Sequence, residues 1–278
     1  NGEHAADPKV GVGGGWCIAV PLGCIQAVAM GNNVVALLAL SVVFLSACKK
    51  DPPVPTPQLP VAPVVHLTVE PRWGDQPFDR NAVLPNGVGQ RVQVQQVKFY
   101  LAELTLLQDT EEDQLMSADL FHVLNGPVER YYSLNERKAF DRVRFGLGLP
   151  PAINATDIST IPVDHPLGNN SGMYWTWATM YRFSLFDGRF DNDVNATGPL
   201  PFQFSIHTGL DTLYRVIDLP LPAPAITGDT ARLKLIVDVR AFFDNGEEVY
   251  DLSQGSQWHG TAADLQRDAF RVEWEPDR

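Results

Sequence analysis

From residue 64 onward, short stretches of the chain alternate between apolar and polar residues. In residues 65–70 every second position is apolar, as expected of a half-buried strand, and His66 belongs to the polar set. With 22 prolines and 22 glycines between the runs, this pattern predicts an all-β fold, an antiparallel two-sheet sandwich of the jelly-roll or Greek-key type. A short helix is predicted near residues 262–267. About ten strands are predicted, at residues 65–70, 91–95, 97–106, 121–124, 131–134, 142–149, 172–188, 202–207, 214–219 and 233–239.

The first 63 residues have a different pattern. Residues 1–29 are glycine-rich and precede the first methionine, so we interpret them as an unstructured or non-native extension. Residues 30–47 contain a continuous apolar run that is short for a membrane span but typical of a signal peptide. The run ends in Leu-Ser-Ala before Cys48, which resembles a bacterial lipobox, so we expect Cys48 to carry the lipid anchor. Residues 48–63 are proline-rich and predict an extended linker to a domain at 64–278.

Charge and cysteine content exclude several functions. The formal net charge is −12, which argues against nucleic acid as a partner because phosphate binding needs clustered Lys and Arg. All three cysteines lie before residue 49, so the domain has no thiolate zinc site and no cysteine nucleophile. It also lacks the Gly-x-Ser-x-Gly, His-Glu-x-x-His and P-loop motifs. We therefore predict that the chain is not an enzyme.

Residues 172–183 are unusually rich in large aromatic side chains, including Trp175 and Trp177. On a single strand, residues two apart share a face, so the two indoles are expected to stand side by side. One interpretation is an ordinary core strand, because aromatic residues dominate the cores of β proteins. The other is that the indole pair walls a metal or redox site whose ligands come from other strands.

Five motifs occur in one order along the chain, at residues 97–101 (VKFYL), 144–149 (RFGLGL) with Asn154, 172–177 (GMYWTW) with Tyr181, 187–188 (DG) and 204–209 (FSIHTG). Together they resemble the MbnP-like domain, a family of periplasmic or surface-anchored β-sandwich proteins named for the copper protein of methanobactin operons. The resemblance implies copper bound by histidines together with a kynurenine made from Trp. It also implies a di-haem peroxidase of the MauG type, which performs that oxidation, and a TonB-dependent receptor as partners.

The resemblance assigns site roles to a few residues of this sequence. One member of the pair Trp175 and Trp177 would be the oxidised residue, and His207 of the FSIHTG motif would bind the metal. Relatives often carry a His before the first turn, whereas this chain has Glu-Pro-Arg-Trp-Gly at 70–74, and the nearby histidine is His66. His165, just ahead of the aromatic stretch, is a further candidate ligand, since imidazole suits copper. We expect no metal role for His122 and His259.

The predicted function is a lipid-anchored metal-handling protein of the bacterial cell envelope, at the outer membrane, with copper as the metal. Two alternatives remain open at this point. An exposed aromatic strand on a β-sandwich is also typical of a module that binds glycans or protein partners. A structural surface lipoprotein, with the aromatic residues simply in its core, is the third interpretation.

Overall fold

The computed structural model describes residues 62–136, 139–176, 180–221, 230–259 and 263–276. The predicted extension, the signal peptide, Cys48 and nearly all of the linker lie outside the described residues, and so does Trp177. Within the described ranges, no helix has the length and apolar character needed to cross a bilayer.

The described residues form mainly short strands. The strands are β1 (Val64–Trp73), β2 (Gln76–Pro77), β3 (Leu84–Pro85), β4 (Arg91–Gln108), β5 (Glu111–His122), β6 (Val128–Ser133), β7 (Arg142–Leu147), β8 (Tyr174–Thr176), β9 (Met180–Tyr181), β10 (Ser184–Asp191), β11 (Phe202–Thr208), β12 (Arg215–Pro220), β13 (Thr230–Asp238), β14 (Gln257–His259) and β15 (Phe270–Pro276). The helices are α1 (Pro151–Asn154) and α2 (Ala263–Asp268). Single 3-10 turns occupy Ile158–Thr160, Asn169–Ser171, Asp211–Leu213 and Val239–Phe242.

The strands form two main sheets and a separate hairpin. Sheet 1 has the order β15-β13-β1-β2, with β6 also paired to β1. Sheet 2 has the order β12-β7-β4-β10-β11-β14, with β3 and β5 also paired to β4. Strands β8 and β9 pair only with each other in the described part of the chain. The all-β sandwich is thus confirmed, although β1 pairs with β13, and β11 with β14, in parallel.

The main hydrophobic core lies between the two sheets. Every second residue of β1 is buried, which places Val65, Leu67 and Val69 in the core and His66 on the outer face. Strand β4 faces it from sheet 2 and contributes Val97 and Phe99. The period of two in the sequence therefore has the expected physical cause, one face packed and one face outward.

A second hydrophobic cluster covers part of the outer face of sheet 2. Residues 150–171, predicted to be a long loop, contain α1 and two of the 3-10 turns and cross this face. Because this layer adds cover, outward-pointing residues of β4 and β10 become buried instead of exposed. The members of this cover cluster are Tyr100, Leu149, Leu167, Met173, Tyr181, Phe183 and Leu185.

Three segments differ from the sequence prediction. Within the predicted strand at 172–188, the described residues form two antiparallel strands, β8 and β9, in which Tyr174 pairs with Tyr181, and not one continuous strand. Residues 91–106 form one strand, β4, with an irregularity near Leu104, where two strands were predicted. The tail contains β14 and β15 in addition to the predicted short helix, α2.

Candidate metal site

His207 lies on the outer face of sheet 2, although it is almost completely buried. Phe204 and Ile206 of β11 point into the main core, so the alternation of the strand turns His207 to the opposite face. There it is only 8% exposed. An imidazole that is buried on the outer side of a sheet needs a cover and a polar partner, and the structure provides both.

The polar partner of His207 is Asp187 on the neighbouring strand β10. The distance from His207 Nε2 to Asp187 Oδ1 is 2.7 Å. The register pairs His207 with Leu185 and Asp187 with Ser205, so the two side chains meet diagonally across the strand pair. Donation of the Nε2 proton to the carboxylate makes Nδ1 the basic nitrogen of a neutral ring. Ligand histidines are commonly oriented by such a carboxylate.

The cover over His207 includes Trp175 from strand β8. The centroids of the two rings are 5.7 Å apart and the ring planes meet at 83°, a T-shaped contact. Trp175 itself is half-buried. The Cζ atom of Arg182 lies 4.8 Å from the centroid of the Trp175 ring. The indole is therefore in contact with an imidazole and with a guanidinium group.

Hydrogen bonds hold the β8–β9 hairpin on sheet 2. Tyr181 Oη donates to the carbonyl of Leu167 at 2.8 Å, and the Tyr181 amide donates to Asn154 Oδ1 at 3.2 Å. The Phe183 amide donates to the carbonyl of Thr208 at 2.7 Å, directly after His207 in the chain. The position of Trp175 is thus fixed relative to His207 by residues of the cover cluster and of β11.

A row of strand partners crosses sheet 2 through the site. His122 pairs with Lys98, Lys98 with Leu185, Leu185 with His207, and His207 with His259. Strand partners lie about 4.8 Å apart, so the position of His259 on β14 is next to that of His207. Sequence reasoning did not predict that β14 would pair with β11 at this position, because a strand of three residues in a polar tail has no readable alternation.

The other candidate histidines are not brought to His207. His66 lies on the outer face of sheet 1, on the far side of the main core, where its ring stacks on Tyr131 at 4.4 Å. His165 is exposed, and its Nδ1 accepts a hydrogen bond from the amide of Leu167 at 3.1 Å.

His122 shares the outer face of sheet 2, where burial, with Lys98 and Arg80 nearby, lowers its pKa. No group of three or more His, Cys, Asp or Glu side chains suited to a metal ion occurs among the described residues. The described contacts therefore leave His207, with Asp187, as the imidazole best prepared to bind a metal.

Comparison with known proteins gives a family match. The MbnP family model matches residues 62–259. Among solved structures, the chain is similar to MbnP from Methylosinus trichosporium, with 12% identity and a TM-score of 0.43, over 73% of this chain and 82% of that chain. No curated protein matches the sequence.

Proposed function

The chain belongs to the MbnP family, and from that premise we propose that it binds copper outside the cytoplasm, at the outer face of sheet 2. His207 would be one ligand and His259 a second, with Asp187 orienting the His207 ring. Family membership supports a copper-related, extracytoplasmic function. The choice of His207 and Asp187 is supported by their mutual contact, and that of His259 by the strand register.

The observation that carries this proposal is the His207–Asp187 pair, in which a buried imidazole that contacts Trp175 is hydrogen-bonded to a partly buried carboxylate. Its hydrogen bond of 2.7 Å prepares one ring nitrogen for a cation, and a neutral imidazole is a good donor to copper. The strand register pairs the backbone position of His259 with that of His207, which is why we propose His259 as the second ligand. The domain at 64–278 offers no cysteine thiolate, because it contains no Cys. In donor chemistry the residues present therefore fit copper.

Trp175 is the residue that we propose to be converted to kynurenine, because it contacts His207. Two equivalents of hydrogen peroxide would each deliver one oxygen atom and leave as water, and the indole C2–C3 bond would be cleaved to give N-formylkynurenine. Hydrolysis of the N-formylkynurenine would then release formate. A di-haem peroxidase of the MauG type is the proposed partner that catalyses the oxidation, so this chain would be its substrate and not itself an enzyme.

The proposed location is the bacterial outer membrane, with the lipid anchor on Cys48 and the proline-rich residues 48–63 as spacer. A TonB-dependent receptor is a further proposed partner. Metabolic labelling with a fatty acid analogue tests the anchor, because label should enter the wild-type chain and be lost in Cys48→Ser. Label that persists in Cys48→Ser would contradict anchoring at this cysteine.

Copper binding is tested by titrating the purified protein with Cu(I) against a chromogenic chelator. We expect His207→Ala to weaken binding by more than about 100-fold, beyond the range seen when only an orienting partner is lost. His259→Ala should weaken it as well. The matched control is His66→Ala, which removes an imidazole from the other sheet and should leave the affinity unchanged. Wild-type affinity in His207→Ala would contradict the proposal.

Oxidation of Trp175 is tested by coexpression with a candidate di-haem peroxidase. Peptide mass spectrometry should then show a mass gain of two oxygen atoms less one CO on the peptide that contains Trp175. An unmodified peptide in the presence of an active peroxidase would contradict this part of the proposal while leaving copper binding to be judged by the titration.

The glycan-binding alternative has weaker support. Aromatic platforms for sugar rings need an open face, whereas Arg182 lies over the Trp175 ring and the indole is half-buried. Stacking of a sugar ring on Trp175 would not require the contact between the indole and the buried imidazole of His207. The metal-binding proposal accounts for the contact between Trp175 and His207.

A further inference from the structure

Arg182 is placed over Trp175 by the pairing of the β8–β9 hairpin. The Arg182 amide donates to the carbonyl of Met173 at 2.8 Å, and Arg182 Nη1 donates to the carbonyl of Gly172 at 3.3 Å. These bonds tie the backbone and the end of the side chain to the segment that leads into β8. The guanidinium is thereby held with Cζ 4.8 Å from the centroid of the Trp175 ring.

The charge of Arg182 is poorly compensated at this position. Its Nε is buried and makes no hydrogen bond within the described part of the chain. No carboxylate among the described residues accepts a hydrogen bond from its guanidinium, and the nearby Asp187 accepts one from His207. Burial lowers the pKa of Arg182, and the attraction of Asp187 offsets this only in part. A cation whose hydrogen bonding is so limited has a strong field at the ring it covers.

A cation over an indole affects the electrons of that ring in a definite direction. The neutral ring presents a negative face and attracts the guanidinium. After loss of one electron the ring would be a radical cation, and the two positive charges would repel each other at short distance, within the 4.8 Å that separates Cζ from the ring centroid. The guanidinium therefore stabilises the reduced indole and opposes the oxidised one.

We infer that Arg182 controls the oxidation of Trp175, holding the indole in its reduced form while the guanidinium lies over the ring. The inference rests on the proposed function in taking Trp175 as the residue that is oxidised. In the step concerned, one electron passes from the indole to a one-electron oxidant, and the N1 proton then leaves to water. Trp175 becomes easier to oxidise when the guanidinium moves off the ring or gains an anionic partner.

The test uses the metal-free protein and a photogenerated ruthenium(III) polypyridyl complex as the one-electron oxidant, with an external electron acceptor to regenerate it. Peptide mass spectrometry gives the rate at which Trp175 is oxidised. Trp73, which is 9% exposed and belongs to the main core, is the internal reference. The variants are Arg182→Gln, which removes the charge, and Arg182→Lys, which keeps it on a side chain without the planar guanidinium.

We expect oxidation of Trp175 to be about tenfold faster in Arg182→Gln, a factor that matches the energies of partly desolvated cation–π contacts. Arg182→Lys should stay close to the wild-type rate. Arg182→Leu carries the same expectation as Arg182→Gln, so the test does not depend on one neutral variant folding. Trp73 should be oxidised at one rate in all variants.

Two results would overturn the inference. Equal rates in wild type, Arg182→Gln and Arg182→Leu would show that the charge has no effect. Equal acceleration in Arg182→Gln and Arg182→Lys would show that the side chain acts by covering the ring and not through its charge. Neither result depends on copper, so failure of this inference is distinguishable from failure of the copper titration.

Discussion

The two outer faces of the sandwich each carry a histidine with an aromatic ring and a carboxylate beside it, yet the surroundings differ. On sheet 1, His66 stacks on Tyr131, which is 64% exposed, and its Nε2 is 3.6 Å from Glu129 Oε2. On sheet 2, His207 contacts Trp175, and its Nε2 is 2.7 Å from the carboxylate of Asp187. The residue types are similar, but the distance between His207 and Asp187 is shorter than that between His66 and Glu129, and both side chains are less exposed.

The difference comes from what lies above each sheet. The outer face of sheet 1 is a layer of ion pairs, among them Arg72–Glu70 and Lys234–Glu273, with solvent beyond it. The outer face of sheet 2 carries the cover cluster and the β8–β9 hairpin. Water reaches Glu129 more than Asp187, whose side chains are 56% and 29% exposed, so the pair on the second face is screened less. The covering layer is therefore the feature that distinguishes the candidate site at His207 from the surface histidine His66.

The largest expected effect is on the free energy of unfolding, when part of the cover is removed from one face only. Tyr181→Ala deletes a fully buried ring of the cover cluster and should lower the free energy of unfolding by about 3–5 kcal/mol. Tyr131→Ala deletes the exposed ring over His66 and should change it by less than about 0.5 kcal/mol. Urea denaturation of both variants measures the contrast. Equal losses would show that the two faces do not differ in cover.

The next effect concerns the two carboxylates. Asp187→Asn keeps the size of the side chain but removes the charge that orients His207, and Cu(I) affinity should fall by about 10–100-fold. Glu129→Gln makes the same chemical change beside His66 and should leave the affinity unchanged. Both are measured by the chelator titration. An unchanged affinity in Asp187→Asn would remove Asp187 from the site.

The smallest effect concerns His122, which shares the outer face of sheet 2 with His207 but whose Nε2 makes no hydrogen bond within the described residues. Its pKa is lowered from 6.5, chiefly by burial, so the unfolded chain takes up the proton more readily than the folded protein. Stability should therefore fall as pH decreases below about 6.5. His122→Gln should lose less stability than wild type between about pH 7.5 and about pH 5.5, as measured by urea denaturation. Equal losses would contradict this assignment.

Much of the fold could be predicted from the sequence, because one-sided burial leaves a period of two. Strand β1 is the clearest example, with its buried and outward positions in strict alternation. Strand β5 was largely missed, since its first residues are acidic and exposed and read as a turn. It forms a strand because β4 offers it a long pairing edge, which a local pattern does not reveal. The hairpin at β8 and β9 was missed for a similar reason, as Met180 takes a left-handed backbone conformation, with φ of 57°, that apolar periodicity does not encode.

The candidate site could be predicted only in part. The aromatic stretch and the FSIHTG motif pointed to Trp175 and His207, and the structure brings these two together. Asp187 belongs to the Asp-Gly motif at 187–188, but the sequence assigned it no role, since its contact with His207 depends on the register of β10 against β11. His259 depends on the register of β14 in the same way. Distances between strands far apart in sequence are set by the whole sheet and leave no local signal.

The central claim, that copper binds on the covered face, is tested most directly by nuclear magnetic resonance of the protein labelled with 15N-histidine, recorded before and after one equivalent of Cu(I). The ring nitrogens of His207 and His259 are predicted to shift, while those of His66 and His165 stay in place. Shifts at His66 or His165 with an unperturbed His207 ring would contradict the account.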